Sequence, residues 1–569
     1  MPRFSPAPLG AIAFFPLCAF LLPSGAAHAE FDPPPGYYNT ATGTGATLKN
    51  QLHDIIDNHT VFSYGDARTI LQITDRDPND SDRMILVYDR LSIDVSAINP
   101  NGSIPGWDSA ATWNREHTWP RSRGIDSTGA DNSDLHQLRP STTQVNSNRG
   151  NLNFGGAFGQ SFGVVQDGGT YWYPGDDDAG MIARQQFYVA VRYDGSDSQT
   201  NNLELVAGNP GTGGTTMGNL NRLLEWHYQA TPDDFERGRN QIIYDDYQGN
   251  RNPFIDHPEW VHSVFVDQAN DTNLSLTAAS GNADGSSSQI LDLGRTLVGG
   301  PGPSTQQVTL FKSGSDGTYY SATTSGAATS SITGDLNAFA IGSGGSQQVT
   351  VGLDVNTSQA GLTTGEVRFD NLDITTGGGF GRGANDGDDV VQLSYTTVDH
   401  ATPSWDGSLV NTQLEIDFGE VELGASVSDM AFELFNLEQT AGFTADLELD
   451  SISGLGTTGV LTVDPTVLTG PAAIDGGDSA TLNASFDTST AGNFGALYTL
   501  SLSDEDLPGA QSYELSLLLL GSVVDPALAG DFNGDDMVTA ADYAVWRDGA
   551  SGGEDYATWV EAFGDSQAA

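Results

Sequence analysis

The sequence contains a single cysteine, Cys18, which lies within the first 29 residues. That segment has one early charge at Arg3, an apolar run from Ala7 to Leu22 and a small-x-small site at Ala27-His28-Ala29, which is the pattern of an export signal. We therefore expect residues 1–29 to be a signal peptide and the mature chain to have no cysteine. Such a chain can form no disulfide and can perform no thiol chemistry. If its fold is cross-linked at all, bound metal ions must provide the cross-links.

Basic residues are also scarce, with 22 Lys and Arg against 74 Asp and Glu and a net charge of −52. This balance excludes a general polyanion-binding surface but does not exclude a local one. Residues 30–268 hold 16 of the basic residues and seven of the nine histidines, whereas residues 269–569 hold five basic and 42 acidic residues. We expect residues 30–268 to contain the catalytic groups and residues 269–569 to be an acidic spacer or binding region.

Long apolar runs are missing as well. No segment after the first 29 residues reaches the roughly 18 apolar residues that span a bilayer, and Pro16 and the short run before it favour export over a membrane anchor. A chain of 569 residues is too long for one domain of about 150 residues, so we expect three or four units. The hydrophobic content of 38% suffices for real cores, and the 69 glycines favour loop-rich β structure. The expected location is extracellular, as a secreted or cell-surface attached protein.

An internal repeat occupies the Ser-, Thr- and Gly-rich region from about residue 275 to 525, where short runs of alternating apolar residues are typical of β-strands. Two pairs of phrases recur there at offsets of 125 and 131 residues: Leu291-Asp292-Leu293-Gly294 with Ile416-Asp417-Phe418-Gly419, and Asn356-Thr357-Ser358-Gln359-Ala360-Gly361 with Asp487-Thr488-Ser489-Thr490-Ala491-Gly492. The repeat predicts two copies of one β-sandwich, over residues 275–400 and 401–525. Both resemble the immunoglobulin-like modules that often follow bacterial secreted enzymes.

The C-terminal segment carries the spacing of a twelve-residue calcium loop. Oxygen ligands would come from the side chains at loop positions 1, 3, 5 and 12 and from the main-chain carbonyl at position 7, namely Asp531, Asn533, Asp535, Asp542 and Met537. A hard cation needs six or seven oxygens on a tightly curled loop, and this spacing supplies them. A helix is expected to start at Ala540. The bland alternative is a polar, acidic tail.

A short phrase in this segment also repeats. Asp542-Tyr543-Ala544-Val545-Trp546 recurs thirteen residues later as Asp555-Tyr556-Ala557-Thr558-Trp559. The pair resembles a dockerin type I repeat over residues 528–569, with a degenerate second loop and with Asp536 where the first loop usually has glycine. The resemblance implies Ca²⁺ at the first loop and a cohesin-like or cell-surface partner for the module.

The residues best suited to catalysis fall in three phrases: Arg115-Glu116-His117-Thr118-Trp119-Pro120, Asp134-Leu135-His136-Gln137-Leu138-Arg139-Pro140 and Val145-Asn146-Ser147-Asn148-Arg149-Gly150-Asn151. We predict a strand through Glu116 and His117, a polar loop and a second short strand that reaches Pro140. A helix should follow, capped by Ser141, with Asn146 and Arg149 three residues apart on one face.

These residue types suit the hydrolysis of a phosphodiester. A neutral imidazole can take a proton from water near neutral pH, and a divalent ion can stabilise the phosphate and the departing oxygen. One carboxylate and one neutral amide would hold that ion without cancelling its charge. Adjacent residues on a strand point to opposite faces, so the spacing alone does not settle whether Glu116 and His117 serve one site.

The three phrases resemble the endonuclease I family, whose nucleases have a ββα-metal (His-Me finger) site. Later phrases extend the resemblance over roughly residues 35–268, among them Leu224-Glu225-Trp226-His227 and Gly249-Asn250-Arg251-Asn252-Pro253-Phe254. The resemblance implies that His117 is the general base and that Glu116 and Asn146 hold Mg²⁺, or Mn²⁺ or Ca²⁺ in its place. Gln137 stands where the family usually has asparagine.

Several other residues have a catalytic and a structural reading. Arg149 either clamps the scissile phosphate or pairs with an acid. The remaining candidate phosphate contacts, which ordinary surface charge would equally explain, are Arg115, Arg121 and Arg139. We expect His136 to be structural, Met181–Tyr193 to be an amphipathic helix, and residues 176–178 to be a solvated loop in preference to a calcium site.

The sequence therefore predicts a multidomain protein with an α+β, ββα-metal nuclease domain (30–268), two all-β immunoglobulin-like sandwiches (275–400 and 401–525) and a small α-helical, dockerin-like calcium-loop module (528–569). The predicted function is that of a secreted, metal-dependent, sequence-nonspecific endonuclease acting on extracellular DNA or, alternatively, RNA. A hypothesis from another class is a catalytically inactive cell-surface or matrix binding protein built on the same domains.

Overall fold

The computed structural model describes residues 31–98, 102–266, 268–277, 286–372, 387–468, 473–549 and 556–566. The predicted signal peptide and Asp555 of the second C-terminal phrase lie outside these ranges. Across the described ranges, no helix combines the length and apolar character needed to cross a membrane.

The N-terminal part of the chain is an α+β unit in which helices surround short, paired strands. Its helices are α1 (Gly45–Ile56), α2 (Ala67–Thr74), α3 (Thr143–Arg149), α4 (Asp176–Arg192), α5 (Leu220–Gln229), α6 (Asp234–Ile242), α7 (Pro253–Asp256) and α8 (Trp260–Phe265). Its strands are β1 (Arg76–Asp77), β2 (Asp80–Ile85), β3 (Ser92–Asp94), β4 (Trp113–His117), β5 (Leu138–Thr142), β6 (Gly163–Gln166), β7 (Thr170–Tyr173), β8 (Glu204–Leu205) and β9 (Thr216–Met217). The first three form one sheet, and the others pair as β4 with β5, β6 with β7 and β8 with β9.

Helix α4 runs through the centre of this unit. The expected amphipathic helix over Met181–Tyr193 is wrong in two respects, because α4 begins at Asp176 and is buried on all sides from Asp178 to Arg192. Its polar side chains find partners inside the unit, as when Arg184 pairs with Glu236. A helix enclosed in this way is a fixed scaffold for the elements packed on it.

Residues 176–178 form the first turn of α4 and are not the solvated loop expected from the sequence. Asp178 is fully buried, accepts a hydrogen bond from the Tyr88 main-chain nitrogen at 2.8 Å and pairs with Arg90. Its negative charge is therefore neutralised by arginine and stabilised by the amide.

Two β units follow, each made of two sheets. The first contains β10 (Asn273–Ser275), β11 (Ser287–Leu297), β12 (Gln306–Ser313), β13 (Thr318–Gly326), β14 (Ala328–Ser330), β15 (Gly334–Phe339), β16 (Gly345–Leu353), β17 (Gly361–Asn371) and β18 (Asp389–Val398). The sheet orders are β10-β12-β16-β14 and β11-β18-β17-β13-β15. Apolar side chains from both sheets share one buried cluster, which includes Val308, Val351, Phe369 and Leu393.

The second β unit repeats this plan. Its strands are β19 (Pro403–Ser404), β20 (Gln413–Glu422), β21 (Met430–Asn436), β22 (Leu447–Gly456), β23 (Leu461–Asp464), β24 (Ser479–Phe486), β25 (Gly492–Asp504) and β26 (Ser512–Val524), in sheets ordered β19-β21-β24-β23 and β20-β26-β25-β22. In both units the first long strand pairs in parallel with the last one, β11 with β18 and β20 with β26. Equivalent hydrogen bonds join Gly299 to Thr357 and Gly424 to Thr488, at 2.8 and 2.9 Å. The sequence repeat is therefore a structural repeat.

The α+β unit and the first β unit share a buried seam. The Tyr319 hydroxyl donates to the His227 carbonyl oxygen at 2.7 Å, and Tyr228, Tyr319 and Leu372 form a buried cluster there. Gly317 lies so close that a Cβ at this position would sit 2.4 Å from the Tyr228 ring. The two units are thus packed against each other across this seam.

The C-terminal module contains α9 (Ala540–Arg547), which starts where the sequence predicts, and α10 (Tyr556–Ala562). The Val538 nitrogen donates to the Asp565 carbonyl, and the Gly564 nitrogen donates to the Val538 carbonyl, both at 2.9 Å. These bonds hold the end of the predicted calcium loop against the segment that follows α10.

Candidate active site

The site is built on a hairpin followed by a helix. Strands β4 and β5 pair antiparallel, with Trp113 opposite Thr142 and His117 opposite Leu138, and α3 follows β5 without a loop. The helix is capped by Thr142, whose hydroxyl accepts from the Val145 nitrogen at 3.3 Å. The expected cap at Ser141 is wrong by one residue, because that residue continues the strand and is fully buried.

Glu116 points from β4 into the interior, with only 2% of its surface exposed. The Tyr88 hydroxyl donates to Glu116 Oε1 at 2.9 Å, and Arg149 Nη1 lies 3.5 Å from the same oxygen. Burial raises the pKa of Glu116 to about 7, against the opposing effects of Arg149 and the Tyr88 hydrogen bond. A dication facing this carboxylate would favour its ionised form.

Asn146 lies on α3 and is oriented by β4. Its Nδ2 donates to Asn114 Oδ1 at 2.7 Å and to the Arg115 carbonyl oxygen at 3.4 Å. A carbonyl oxygen only accepts, so the amide nitrogen must face the strand. Within the described ranges the Oδ1 atom of Asn146 has no hydrogen-bond partner and is left as an available ligand atom.

Asn114 and Glu116 are two residues apart on one strand and therefore share a face. Because Asn146 is bonded to Asn114, Glu116 and Asn146 lie on the same side of the hairpin. The atoms they can offer to a metal are a carboxylate oxygen and an amide oxygen, which are the ligand types that Mg²⁺, Mn²⁺ and Ca²⁺ prefer. The residues present therefore fit a divalent cation.

His117 occupies the last position of β4 and faces the opposite side. Its Nε2 donates to the Asn132 carbonyl oxygen at 2.9 Å, so Nε2 carries the proton of the neutral ring and Nδ1 is the basic nitrogen. Burial, together with the charges of Arg121 and Arg115, lowers the pKa of His117 to about 3. The imidazole is consequently neutral at pH 7.

Arg149 is a buried residue that lies beside an acid, as in the second of the two readings that the sequence leaves open. Its guanidinium donates to the carbonyl oxygens of Thr118, at 2.6 Å, and His117, at 3.2 Å, and it lies beside Glu116. It also stands over the Phe154 ring at 4.7 Å. A guanidinium enclosed in this way positions the end of β4 and is not free to bind substrate.

Arg139 is likewise ruled out as a phosphate contact. It is fully buried, forms an ion pair with Asp75 and lies 3.9 Å from an Asp178 oxygen. Two nearby carboxylates hold its pKa above the usual value despite burial. The other two candidate phosphate contacts lie on the His117 side of β4. Arg121 is exposed there, and Arg115 is half-buried.

Three residues around the site were not singled out from the sequence. Tyr88 holds Glu116, Asn132 holds His117 and Asn114 holds Asn146. The one signal available was for Asn114, which stands two positions before Glu116 on the predicted strand and so shares its face. Tyr88 adopts an unusual φ of 80°, which no sequence pattern predicts.

His136 and Gln137 have internal partners. His136 Nε2 donates to the Asn250 carbonyl oxygen at 3.2 Å, and its ring packs on Tyr188 with centroids 4.6 Å apart. The side-chain amide of Gln137 donates to the Asp131 carbonyl, and its main-chain carbonyl accepts from the Thr118 hydroxyl. These contacts fit the structural reading of His136.

A second candidate metal centre lies in the C-terminal module. Carboxylate oxygens of Asp531, Asp535 and Asp542 come within 4.8 Å of one another, and Asn533 Nδ2 donates to Asp535 at 3.0 Å. The structure thus brings the three predicted carboxylate ligands together, and the Met537 main-chain nitrogen donates to Asp535 at 3.1 Å. This geometry suits a hard cation with oxygen ligands.

The loop turns at its sixth position through a residue other than glycine. Asp536 has a φ of 61°, in the left-handed region, which aspartate tolerates better than most residues other than glycine. Its main-chain nitrogen donates to Asp531 at 2.7 Å. The loop therefore keeps its curl although glycine is missing.

Comparison with known proteins locates the similarity in the α+β unit. The family model described as Endonuclease I matches residues 44–259. The chain is 43% identical over 234 residues to the extracellular ribonuclease of Bacillus amyloliquefaciens and 44% identical over 237 residues to that of Bacillus subtilis (strain 168), in each case over 40% of this chain and 78% of the relative. Among solved structures, a PapD-like domain of human CEP192 is 16% identical with a TM-score of 0.17, covering 20% of this chain and 83% of that domain.

Proposed function

This chain belongs to the endonuclease I family, and from that membership we propose that residues 30–268 form a metal-dependent, sequence-nonspecific endonuclease that hydrolyses phosphodiester bonds of extracellular nucleic acid. The two relatives are named extracellular ribonucleases. Their names support export of this chain, with residues 1–29 as its signal, and make RNA a substrate of equal rank with DNA.

The hydrogen bond from His117 Nε2 to the Asn132 carbonyl carries this proposal. It fixes the ring so that Nδ1 is the atom that takes a proton from water. The low pKa of His117 keeps the ring neutral, and the negative charge of a bound phosphate increases its basicity. Water then attacks the phosphorus directly, so no covalent enzyme intermediate forms.

Glu116 and Asn146 would hold the divalent ion, with Mg²⁺ as the first choice and Mn²⁺ or Ca²⁺ as alternatives. When bound, such an ion stabilises negative charge on the phosphate and on the departing oxygen. Tyr88 fixes the Glu116 carboxylate, while Asn114 turns the Asn146 amide oxygen away from the strand. A phosphodiester lying across the end of β4 would then meet these ligands on one side and His117 on the other.

Arg149 serves this site as a positioning residue. Its bonds to the carbonyls of His117 and Thr118, together with its contact to Glu116, tie the two sides of the strand end together. This support is needed because the catalytic groups sit at a strand terminus, where regular pairing stops.

The test uses the full mature chain with plasmid DNA and a structured RNA as separate substrates. We expect Mg²⁺-dependent cleavage of at least one of them, abolition by excess chelator, and loss of activity by roughly 10²–10⁴-fold in His117→Ala. The control is His257→Gln, a histidine of the same unit stacked on Trp260. Cleavage that persists in chelator, or an active His117→Ala protein, would overturn the proposal, and so would failure to cleave either substrate.

For the rest of the chain we propose two immunoglobulin-like sandwiches over 275–400 and 401–525 and a dockerin-like module over 528–569. Ca²⁺ at the C-terminal loop, with a cohesin-like or cell-surface partner for the module, completes this proposal. The convergence of Asp531, Asp535 and Asp542 supports the calcium site. Its function would be folding or attachment of the module, separate from the chemistry at His117.

A further inference from the structure

Three arginines gather on the His117 side of β4, two of them around one tyrosine. The guanidinium carbon of Arg115 stands over the Tyr64 ring at 3.5 Å, and that of Arg121 lies 5.9 Å from the same ring. Arg68 is close enough to Arg115 for the two positive charges to interact. The Tyr64 ring itself stacks on His117, with centroids 5.4 Å apart.

These arginines have no acidic partner. In the part of the chain that the structure describes, Arg68, Arg115 and Arg121 form no ion pair, whereas Arg222 in the same unit pairs with Asp167. Unpaired like charges repel one another. The chain has a net charge of −52, so acidic residues that could pair with these arginines are plentiful, yet none of the described ones does so. Their grouping beside the proposed base creates a local positive potential. A bound anion would neutralise these charges.

An exposed tryptophan extends this cluster. Trp107 is 47% exposed, and the Arg68 guanidinium covers one face of its indole at 4.7 Å. Among the described residues, no other aromatic ring packs against Trp107. The indole therefore has one face covered by a cation, while about half of its surface remains accessible to solvent.

The loop that carries Trp107 is fixed to the active-site hairpin. Gly106 lies against Trp113 so closely that a Cβ would be 2.5 Å from the indole, and its φ of 80° is open to few other residues. The Thr143 hydroxyl, at the start of α3, donates to the Ala110 carbonyl. Trp107 is thus held at a set position relative to α3 and β4.

We propose that Trp107, Arg68, Arg115 and Arg121 form a track for an unpaired strand of RNA or DNA that leads to His117. The arginines bind phosphates next to the one that is cut, and one base stacks on the exposed part of the Trp107 indole. Every base offers a π-face, so the track reads no sequence. In a duplex the bases are already stacked inside the helix, so the track favours single strands. This inference rests on the proposed function and adds the class of substrate to it.

Binding is measured apart from cleavage, in excess chelator and at fixed salt. Fluorescence anisotropy compares a short labelled single strand with a hairpin duplex of the same base composition. We expect wild-type protein to bind the single strand more tightly, and Trp107→Ala to weaken that binding by roughly tenfold and to narrow the preference over the duplex. Trp107→Phe, which keeps a ring, should recover most of the affinity. The control is Phe563→Ala, an aromatic of the C-terminal module that is 55% exposed.

The arginine part of the track has its own readout. For Arg68→Ala, the slope of log affinity against log salt should become shallower by about 0.7, the value for one phosphate contact on a single strand. Arg222→Ala should leave the slope at the wild-type value, because Arg222 is neutralised by Glu225 and Asp167. Thermal unfolding of each variant checks that the fold is retained.

Two results would overturn the track: wild-type protein that binds the duplex as tightly as the single strand, or a folded Trp107→Ala protein with wild-type affinity. A parallel cleavage assay in Mg²⁺ separates this from the proposed function. Binding that depends on Trp107 in a protein that never cleaves would refute the nuclease and support the track. Cleavage by Trp107→Ala with an unchanged KM for single strands would refute the track and leave the nuclease standing.

Discussion

The amide nitrogen of Asn146 donates to Asn114 Oδ1 across 2.7 Å, from helix α3 to strand β4. This bond decides which end of the Asn146 amide faces outward, because the nitrogen is used on the strand and the oxygen is left over. The residue that orients the proposed ligand is thus on the same strand as the other proposed ligand, Glu116.

Asn114→Ala should weaken the proposed metal site without removing a ligand. The Asn146 amide would lose its main hydrogen bond and could rotate, and loss of such a supporting contact typically costs 10- to 100-fold in metal affinity or activity. We expect the Mg²⁺ concentration for half-maximal cleavage to rise by at least about tenfold. Asn148→Ala is the matched control, since Asn148 is exposed on the same helix. Equal Mg²⁺ dependence in the two variants would contradict the assigned support.

Arg149→Ala should lower stability as well as activity. Its removal leaves the Thr118 and His117 carbonyls and the buried Glu116 carboxylate without their cation, and breaking a buried pair of this kind costs about 3–5 kcal/mol. Urea unfolding followed by tryptophan fluorescence measures the loss. Arg121→Ala, at an exposed site, should leave the urea midpoint nearly unchanged. A stable Arg149→Ala protein with a raised KM would favour the phosphate clamp instead.

His136 should make the α+β unit less stable as the pH falls. Burial lowers its pKa to about 4, whereas in the unfolded chain the value is about 6.5. Between these values the unfolded chain takes up a proton that the folded protein refuses, so the free energy of unfolding is highest above about pH 6.5 and falls by up to about 3 kcal/mol toward pH 4.

The measurement is the urea midpoint at a series of pH values from 7 to 4. In His136→Gln, whose amide can still donate to the Asn250 carbonyl, the decline should be shallower than in the wild-type protein. Asn148→Ala, which removes no titratable group from the same unit, should keep the wild-type slope. A decline that is the same in all three proteins would show that His136 is not its source.

Calcium should bind the C-terminal loop and stabilise the two helices that follow it, α9 and α10. Three carboxylates within 4.8 Å repel one another until a cation joins them, so Ca²⁺ should raise the unfolding temperature of the module and change the fluorescence of Trp546 and Trp559. Asp535→Ala should abolish both effects. Asp548→Ala, an exposed acid paired with Arg547, should retain them. Calorimetric titration of the full chain that detects no heat and no shift in unfolding would contradict the site.

The sequence predicted those parts of the site that are local. Strand β4, strand β5 and helix α3 follow one another within a few dozen residues, so alternation and helix spacing were enough to place Glu116 and His117 on opposite faces. The cap was missed by one residue because Ser141 and Thr142 are both competent caps, and only the pairing of Ser141 within β5 decides between them.

Burial of charged side chains was beyond the sequence. Arg139 depends on Asp75 and Arg184 on Glu236, each more than fifty residues away along the chain. Without those partners an arginine is expected at the surface, which is why Arg139 was expected at the phosphate. The same reasoning explains why α4 was expected to be amphipathic, since its polar residues are matched only by distant elements.

The seam at Tyr319 changes what counts as the catalytic unit. The family match ends at residue 259, yet Tyr228 is covered by Tyr319 and Leu372 from the following β unit. A fragment cut at the family limit would expose an aromatic surface to water and strip the His227 carbonyl of its hydroxyl donor. Such a fragment should be prone to self-association, so any fragment that keeps this seam covered must include the first β unit, which ends with β18 at Val398.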